Sequence, residues 1–174
     1  NYKEFEAPES AYEDFKVNTK ERGDKKLQAW NKLYKEYAKA YPNEAKTLSK
    51  IIKGELPVDL TNVLPIKEIG TSEASRISGG NAINLLSDAV VNLIGGSADL
   101  TKSTKAKGVN GDFSHSTPLG RNLNFGVREH AMAAMVNGLT LHGLKAFSGG
   151  FFVFSDYMKP AMRMAAIMGI PSIY

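Results

Sequence analysis

Apolar residues change their spacing along this chain, and each change predicts a different kind of element. Residues 1–7 set no pattern. Pro8 suits the first turn of a helix, where its missing N–H is not needed. That helix is predicted to run to about Arg22 and to stop at Gly23, a C-terminal cap residue. Next, Leu27, Trp30, Leu33, Tyr34, Tyr37, Ala38 and Tyr41 recur every three or four residues, the stripe of an amphipathic helix. Such an aromatic stripe is more often a packing face than a ligand wall. Pro42 marks its end. A third helix is predicted with Ala45, Leu48, Ile51 and Ile52 inward and Gly54 at its close.

From Glu55 to about Ser75 the periodicity vanishes, and Pro57, Pro65 and Gly70 punctuate an extended stretch. That is long for a loop inside a compact domain and reads as a linker. Beyond it the pattern is α/β. Ser75 is a candidate N-cap for a helix with Ile83, Leu86 and Val90 inward. Leu93-Ile94 reads as a short buried strand stopped by Gly95-Gly96, and residues 97–120 as a long polar loop. Leu123 and Phe125 then alternate with Asn122 and Asn124, which is strand spacing. Gly126 permits a turn, and Val127 to Gly143 is rich in good helix formers. Leu144 to Phe147 is the next strand. Phe151 to Met168 reads as a helix that Pro160 should kink or split, capped by Gly169 and followed by a last strand, Ile170 to Tyr174.

This alternation predicts an α/β fold, a parallel sheet with helices on both faces. The expected organisation is a helical segment over 1–54 from the end of a preceding domain, a linker over 55–74, and a partial α/β domain over 75–174. The chain opens at Asn1 without methionine and closes on an apolar strand, so we expect a piece of a larger protein.

Composition narrows the partners. The apolar fraction of 43% in 174 residues supports a buried core. Net charge is +4, but residues 1–54 interleave 12 basic with 9 acidic residues, the pattern of solvated helix faces rather than of a nucleic-acid footprint. There is no cysteine, which excludes disulfides and thiolate metal sites and is compatible with a cytoplasmic setting. No apolar run approaches the roughly 20 residues of a membrane span. We therefore expect a cytoplasmic protein without nucleic-acid or membrane partners.

Three loops should converge at the carboxyl edge of the sheet, where ligands bind in open α/β folds. They are Gly95-Gly96-Ser97-Ala98-Asp99-Leu100-Thr101, the turn before Glu129, and Gly149-Gly150-Phe151-Phe152-Val153-Phe154-Ser155-Asp156-Tyr157. Together they offer carboxylates and an aromatic cluster, which would suit a planar heterocycle with a ring nitrogen. From position alone, Glu129 could equally be an acid favoured by a helix N-terminus. His115, His130 and His142 lack metal-ligand spacing, so no metal ligands are expected within the chain. Ser97 does not sit in a hydrolase elbow, and no phosphate-loop motif occurs.

In these motifs the sequence resembles the transketolase family. Gly95-Gly96-Ser97-Ala98-Asp99-Leu100-Thr101, Phe125-Gly126-Val127-Arg128-Glu129-His130 and Phe151-x-x-Phe154-Ser155-Asp156-Tyr157 occur in the family's order and at nearly its spacing, and the likeness extends over essentially the whole chain. Residues 1–54 resemble the end of the family's first domain, and residues from about Ser75 the first part of its pyrimidine-binding middle domain. The resemblance implies a thiamine diphosphate enzyme that transfers a two-carbon ketol unit from xylulose 5-phosphate to ribose 5-phosphate in the pentose phosphate pathway. It assigns Glu129 to the hydrogen bond with N1′ of the aminopyrimidine, which favours the imino tautomer that deprotonates the thiazolium. Phe154 would stack on the pyrimidine, with Phe151 and Tyr157 as aromatic neighbours, and Asp99 in the cofactor region. Arg76 and Ser103 would hold the sugar phosphate.

There are departures. Thr101-Lys102-Ser103-Thr104-Lys105 stands where the family usually has Thr-Pro-Ser-Asn, and the loop from His142 to Phe151 is about one residue shorter than in some members. The family's Gly-Asp-Gly…Asn motif for Mg²⁺ and the diphosphate is not in this chain, nor are the histidines of its first domain. The resemblance therefore implies half of a cofactor site, completed by the partner subunit of a homodimer, and a chain inactive alone. Two alternatives stand beside it. One is another thiamine diphosphate enzyme of the same architecture, a dihydroxyacetone synthase or deoxyxylulose-phosphate synthase. The other is a non-catalytic scaffold, against which the bare apolar final strand argues.

Overall fold

A computed structural model describes residues 2–174. They divide into two compact units, one ending at Ser49 and the other running from Lys50 to Tyr174. The first unit is helical. Helix α1 (Glu9–Phe15) continues through a π-helical segment, Lys16–Glu21, into α2 (Arg22–Ala40). Gly23, the expected cap, lies inside α2. Capping would require a left-handed residue, and Gly23 does not adopt that conformation. The real break is Tyr41, after which Pro42 opens α3 (Pro42–Ile52). The Tyr34 hydroxyl donates to the Ala45 carbonyl at 2.9 Å, and its ring stacks on Trp30 at 6.1 Å between centroids. Tyr37 and Ala38 of the stripe are half-buried and Ala45 is buried, whereas Leu27, Trp30, Leu33 and Tyr41 are exposed, as is Ile52, so the expected packing face is covered only in part among the described residues.

The second unit is built on a parallel sheet of β1 (Leu93–Ser97), β2 (Asn122–Asn124) and β3 (Lys145–Gly149), in the order β2-β1-β3. Gly95 and Gly96 do not stop β1 but form its middle. Gly95 is in register with Phe147 of β3, and Gly96 with Leu123 of β2. A Cβ on Gly95 would collide with the carbonyl and ring of Phe147, and one on Gly96 with the carbonyl of Leu123. Glycine weakens a strand through entropy and lost packing, and is kept where another backbone approaches closely.

Successive strand residues face opposite sides of a sheet, so Phe147 and Leu123 mark its two faces. Phe147 packs with Val90, Leu93 and Ala106, and with Ile83, Leu86 and Ala89 of α4 (Ser75–Ala89). Leu123 packs with Ala98 and Phe125, with Met132 and Ala133 of α6 (Glu129–Leu141), and with Met158 and Ala161 of α7 (Ser155–Met168). Helices thus cover both faces, as the alternation of strand and helix predicts.

Several boundaries differ from expectation. Residues 55–74 hold no helix or strand, yet Leu60 packs on the α4 cluster. Ser75 is the first residue of α4, and Ala74 occupies the N-cap without a side-chain bond. Pro160 does not split α7. The proline deprives the Asp156 carbonyl of its partner, but both residues are exposed, where water can serve that carbonyl. Gly169 caps α7 at φ 65° as predicted. The last strand reduces to one parallel bridge, Ile173 to Phe147.

Two glycine substitutions should therefore act in opposite directions. Gly96→Ala forces a methyl into the β2 backbone and should cost about 3 kcal/mol or more. Gly138→Ala, in α6 where nothing lies within 4 Å of the new carbon, should add about 0.5–1 kcal/mol. Urea midpoints of the two variants, measured side by side, check both signs.

Candidate active site

The segment from β2 to α6 is shaped by one glycine and one arginine. Gly126 turns the chain at φ 67°. The Arg128 guanidinium folds back and donates through Nη1 to the Phe125 carbonyl at 3.0 Å, occupying the space that a side chain at position 126 would need. Arg128 is also the N-cap of α6, its carbonyl accepting from the Met132 N–H at 2.8 Å. Glu129 is thereby fixed as the first residue of the helix, half-buried, at the carboxyl end of β2. A helix N-terminus is a favourable place for its charge.

Buried polar side chains hold the surrounding loops. Asn122 accepts at Oδ1 from the Gly108 N–H at 2.7 Å and donates to the carbonyls of Gly108 and Gly111 at 3.0 and 2.8 Å. Arg121 donates to the Ser87 and Val90 carbonyls, both at 2.5 Å, and so serves carbonyls left open at the end of α4. Burial pushes its guanidinium below the ordinary range, partly opposed by the charge of Asp88. Ser87 Oγ accepts from the Val109 N–H at 3.0 Å, and Asn110 donates to the Ser87 carbonyl at 2.8 Å. On the other face Asn137 donates to the Ala161 carbonyl at 2.9 Å and accepts from Ser172 Oγ at 2.8 Å and from the Tyr174 hydroxyl. The sequence reading missed these four residues (Ser87, Arg121, Asn122 and Asn137). Asn137 alone left a signal, a polar residue on the face shared by Met132, Ala133 and Val136.

The predicted site residues fall into three groups. Asp99 and Ser103 line a cavity of 1080 Å³ beyond β1 and β2, together with Lys102, Lys105, Lys107 and Asn124. Arg76 and Phe151 line a second cavity of 890 Å³, with Ser148, Gly149, Gly150 and Lys159. From β1 the chain leads to β2 on one side, while β3 bridges Ile173 on the other, so this second cavity sits at a topological switch point. Gly80 of α4 lines both cavities. Arg76 and Ser103, expected on one phosphate, are thus in separate cavities.

Glu129, Phe154 and Tyr157 line neither cavity, but their elements share one core. Ala98 precedes Asp99, Met158 follows Tyr157, and Phe125 and Met132 flank Glu129; all four pack in a single cluster. Phe154 is half-buried, ending the 3-10 turn Phe152–Phe154 at the head of α7, whereas Tyr157 is 63% exposed. Among the described residues no three acidic or histidine side chains come together as a metal site would require.

Comparison with known proteins follows this geometry. Residues 71–174 match the family described as transketolase, pyrimidine binding domain, and residues 1–57 match transketolase, thiamine diphosphate binding domain. The chain is 48% identical over 173 residues to the transketolase of Bacillus subtilis (strain 168), covering 98% of this chain and 26% of that protein. It is also 48% identical over 174 residues to the transketolase of Geobacillus stearothermophilus, with the same coverage. Among solved structures it superposes on transketolase from Leishmania mexicana with a TM-score of 0.85 and 35% identity, over 95% of this chain and 25% of that one. It superposes on a Pichia stipitis transketolase in complex with sedoheptulose 7-phosphate with a TM-score of 0.87 and 32% identity, over 98% and 26%. The chain spans about a quarter of the length of the curated relatives it matches.

The Arg121 clamp gives a stability test. Arg121→Met keeps the stem but removes the charged donor, leaving the Ser87 carbonyl to Asn110 and the Val90 carbonyl to the Leu93 N–H. It should cost about 2–3 kcal/mol, in the range for hydrogen bonds to a charged group. Chemical denaturation measures the loss, and hydrogen exchange should show the amides of 108–111 opening first.

Proposed function

The chain belongs to the transketolase family, and from that premise we propose that it forms the central part of a thiamine diphosphate-dependent transketolase. The whole enzyme would move a two-carbon ketol unit from a ketose phosphate such as xylulose 5-phosphate to an aldose phosphate such as ribose 5-phosphate. The observation that carries this reading is the seat of Glu129, first residue of α6 and half-buried at the carboxyl end of β2. In this reading residues 1–54 close a preceding domain, 55–74 are a linker, and 75–174 begin the pyrimidine-binding domain.

The side chains present suit part of the cofactor. A carboxyl at a helix head and half-buried aromatic rings at the start of α7 fit a flat ring with a basic nitrogen. They do not fit a metal ion with its diphosphate, and the Mg²⁺ ligands would lie outside this chain. Thiamine diphosphate, when bound, supplies a carbon that stabilises negative charge during cleavage and formation of the ketol bond. Glu129 would hold a proton at the ring nitrogen N1′, fixing the tautomer of the aminopyrimidine. Phe154 would stack on that ring, with Phe151 and Tyr157 limiting its contact with water and Asp99 bordering the cofactor. Arg76 suits a phosphate as a fork-shaped, permanently charged donor, and Ser103 adds a hydroxyl in the neighbouring cavity. Completion by a partner subunit of a homodimer and a cytoplasmic location belong to the same proposal. No helix among the described residues is long and apolar enough to cross a membrane.

The decisive substitution is Glu129→Gln in the full-length enzyme. It keeps the shape and removes the acid, so turnover at saturating cofactor should fall about 100-fold or more, the scale of lost acid–base assistance. Stability should change by no more than about 0.5 kcal/mol. Undiminished turnover would remove Glu129 from the chemistry.

A further inference from the structure

We propose that Asn137 is a positioning residue: it sets the register of α6 against α7, and with it the gap between Glu129 and Phe154 that receives the ring of the cofactor. The inference deepens the reading of the chain as part of a thiamine diphosphate enzyme and rests on it. Both helices leave the carboxyl edge of the sheet, α6 after β2 and α7 after β3, so they run side by side in one direction. Met132 and Ala133 of α6 pack with Met158 and Ala161 of α7. Asn137, one turn beyond Ala133 on the same face, is buried as they are. Its amide donates to the Ala161 carbonyl at 2.9 Å, and its Oδ1 accepts from Ser172 Oγ at 2.8 Å and from the Tyr174 hydroxyl. The segment so held is joined to β3, where the Ile173 carbonyl accepts from the Ser148 N–H at 2.9 Å. One side chain thus ties both helices to the sheet.

Apolar contacts between two helices tolerate a slide along the axis. A buried amide does not, because a slide strands its donor and acceptor at the full desolvation cost of unpaired groups. A lone asparagine between packed helices is the best attested device for fixing register in this way. What the register controls here is the pair of helix heads. Asn137 lies eight residues beyond Glu129, about 12 Å along α6. Ala161 lies six residues beyond Ser155, about 9 Å along α7. Glu129, Ala133 and Asn137 stand one above another on α6, and Phe154 closes the turn that opens α7. A slide of one residue would carry Glu129 past Phe154 by about 1.5 Å. A shift of that size breaks a hydrogen bond to a ring stacked on Phe154.

The test uses the full-length enzyme with Mg²⁺ and two ligands, thiamine diphosphate and the thiazole diphosphate that lacks the pyrimidine. Asn137→Leu keeps the size and removes every polar link. Its dissociation constant for thiamine diphosphate should rise about tenfold, the scale of one lost hydrogen bond. That for the thiazole diphosphate should stay within about twofold. Exchange of the C2 hydrogen of bound thiamine diphosphate into deuterated water, read by NMR after acid quench, should slow about tenfold or more, as misplacement on this scale does. Ser172→Ala removes one partner but leaves the tie to Ala161, so it should lower the urea midpoint and leave both dissociation constants within about twofold. If Asn137→Leu does not fold, Asn137→Asp takes its place. It loses the donor to Ala161, keeps Oδ1 for Ser172 and Tyr174, and should show the same selective loss. Equal weakening of both ligands, or unchanged exchange, makes Asn137 merely structural and overturns the proposal while leaving the family reaction intact. If the unsubstituted enzyme binds thiamine diphosphate no more tightly than the thiazole diphosphate, the cofactor reading itself fails, and the proposal falls with it.

Discussion

Two adjacent glycines in β1 set the spacing on which the rest of the second unit depends. Gly95 and Gly96 let β3 and β2 approach from opposite sides, with Phe147 and Leu123 occupying the room that side chains would take. The three strands then end at one edge, and the loops that carry Asp99, Glu129 and Phe151 leave from it. A residue with a Cβ at either position would separate the strands, and the two core clusters on either face would lose their common floor. The pair is thus an architectural requirement before it is a family signature.

Above that floor, polar clamps join the buried Ala98 and Ala106 in fixing the loops. The stretch from Ser97 to Gly120 has little apolar material, and its described structure is held by Asn122, Ser87, Asn110 and Arg121. Each bonds to backbone, so each satisfies groups that would otherwise be unpaired on burial. Asn137 does the same work between α6, α7 and the chain near Ser172. Such networks are rigid when complete, and they anchor the stretch around Gly108–Gly111 that follows Asp99 and the short helix α5 (Thr101–Thr104) bearing Ser103.

The layered α/β core was legible because burial on two faces leaves a periodic record. Leu123, Phe125, Ile83 and Leu86 all fall where the spacing places them. Misreadings cluster where one residue type serves opposite ends. Glycine stops strands and helices in general, yet Gly95 and Gly96 sit inside β1 because of a neighbour 52 or 27 residues away in sequence, and Gly23 passes through α2 unremarked. Pro160 is tolerated because the carbonyl it orphans belongs to an exposed residue. The clamps were illegible for a similar reason. An asparagine that alternates with leucine in a strand looks like the solvent side, and only the loop folding back over Asn122 makes it buried. The carboxyl and the aromatic residues were readable as motifs and the arginine only through the resemblance, while their division among two cavities and a helix head follows from packing that spacing does not show, such as the seat of Lys105 against Gly80.

That division has an electrostatic logic. The head of α6 offers partial positive charge from its free N–H groups, and an acid there is stabilised within the first turn only. The cavity beyond β1 gathers lysines around a hydroxyl, and only one of the three is neutralised by a neighbouring acid. The one acid that lines that cavity, Asp99, joins none of the ion pairs among the described residues. Glu129 stands apart from the lysines on a separate helix, tied to the same sheet through Phe125 and Met132. Groups of unlike charge thus stand on one edge of the sheet without the protein's own charges cancelling first.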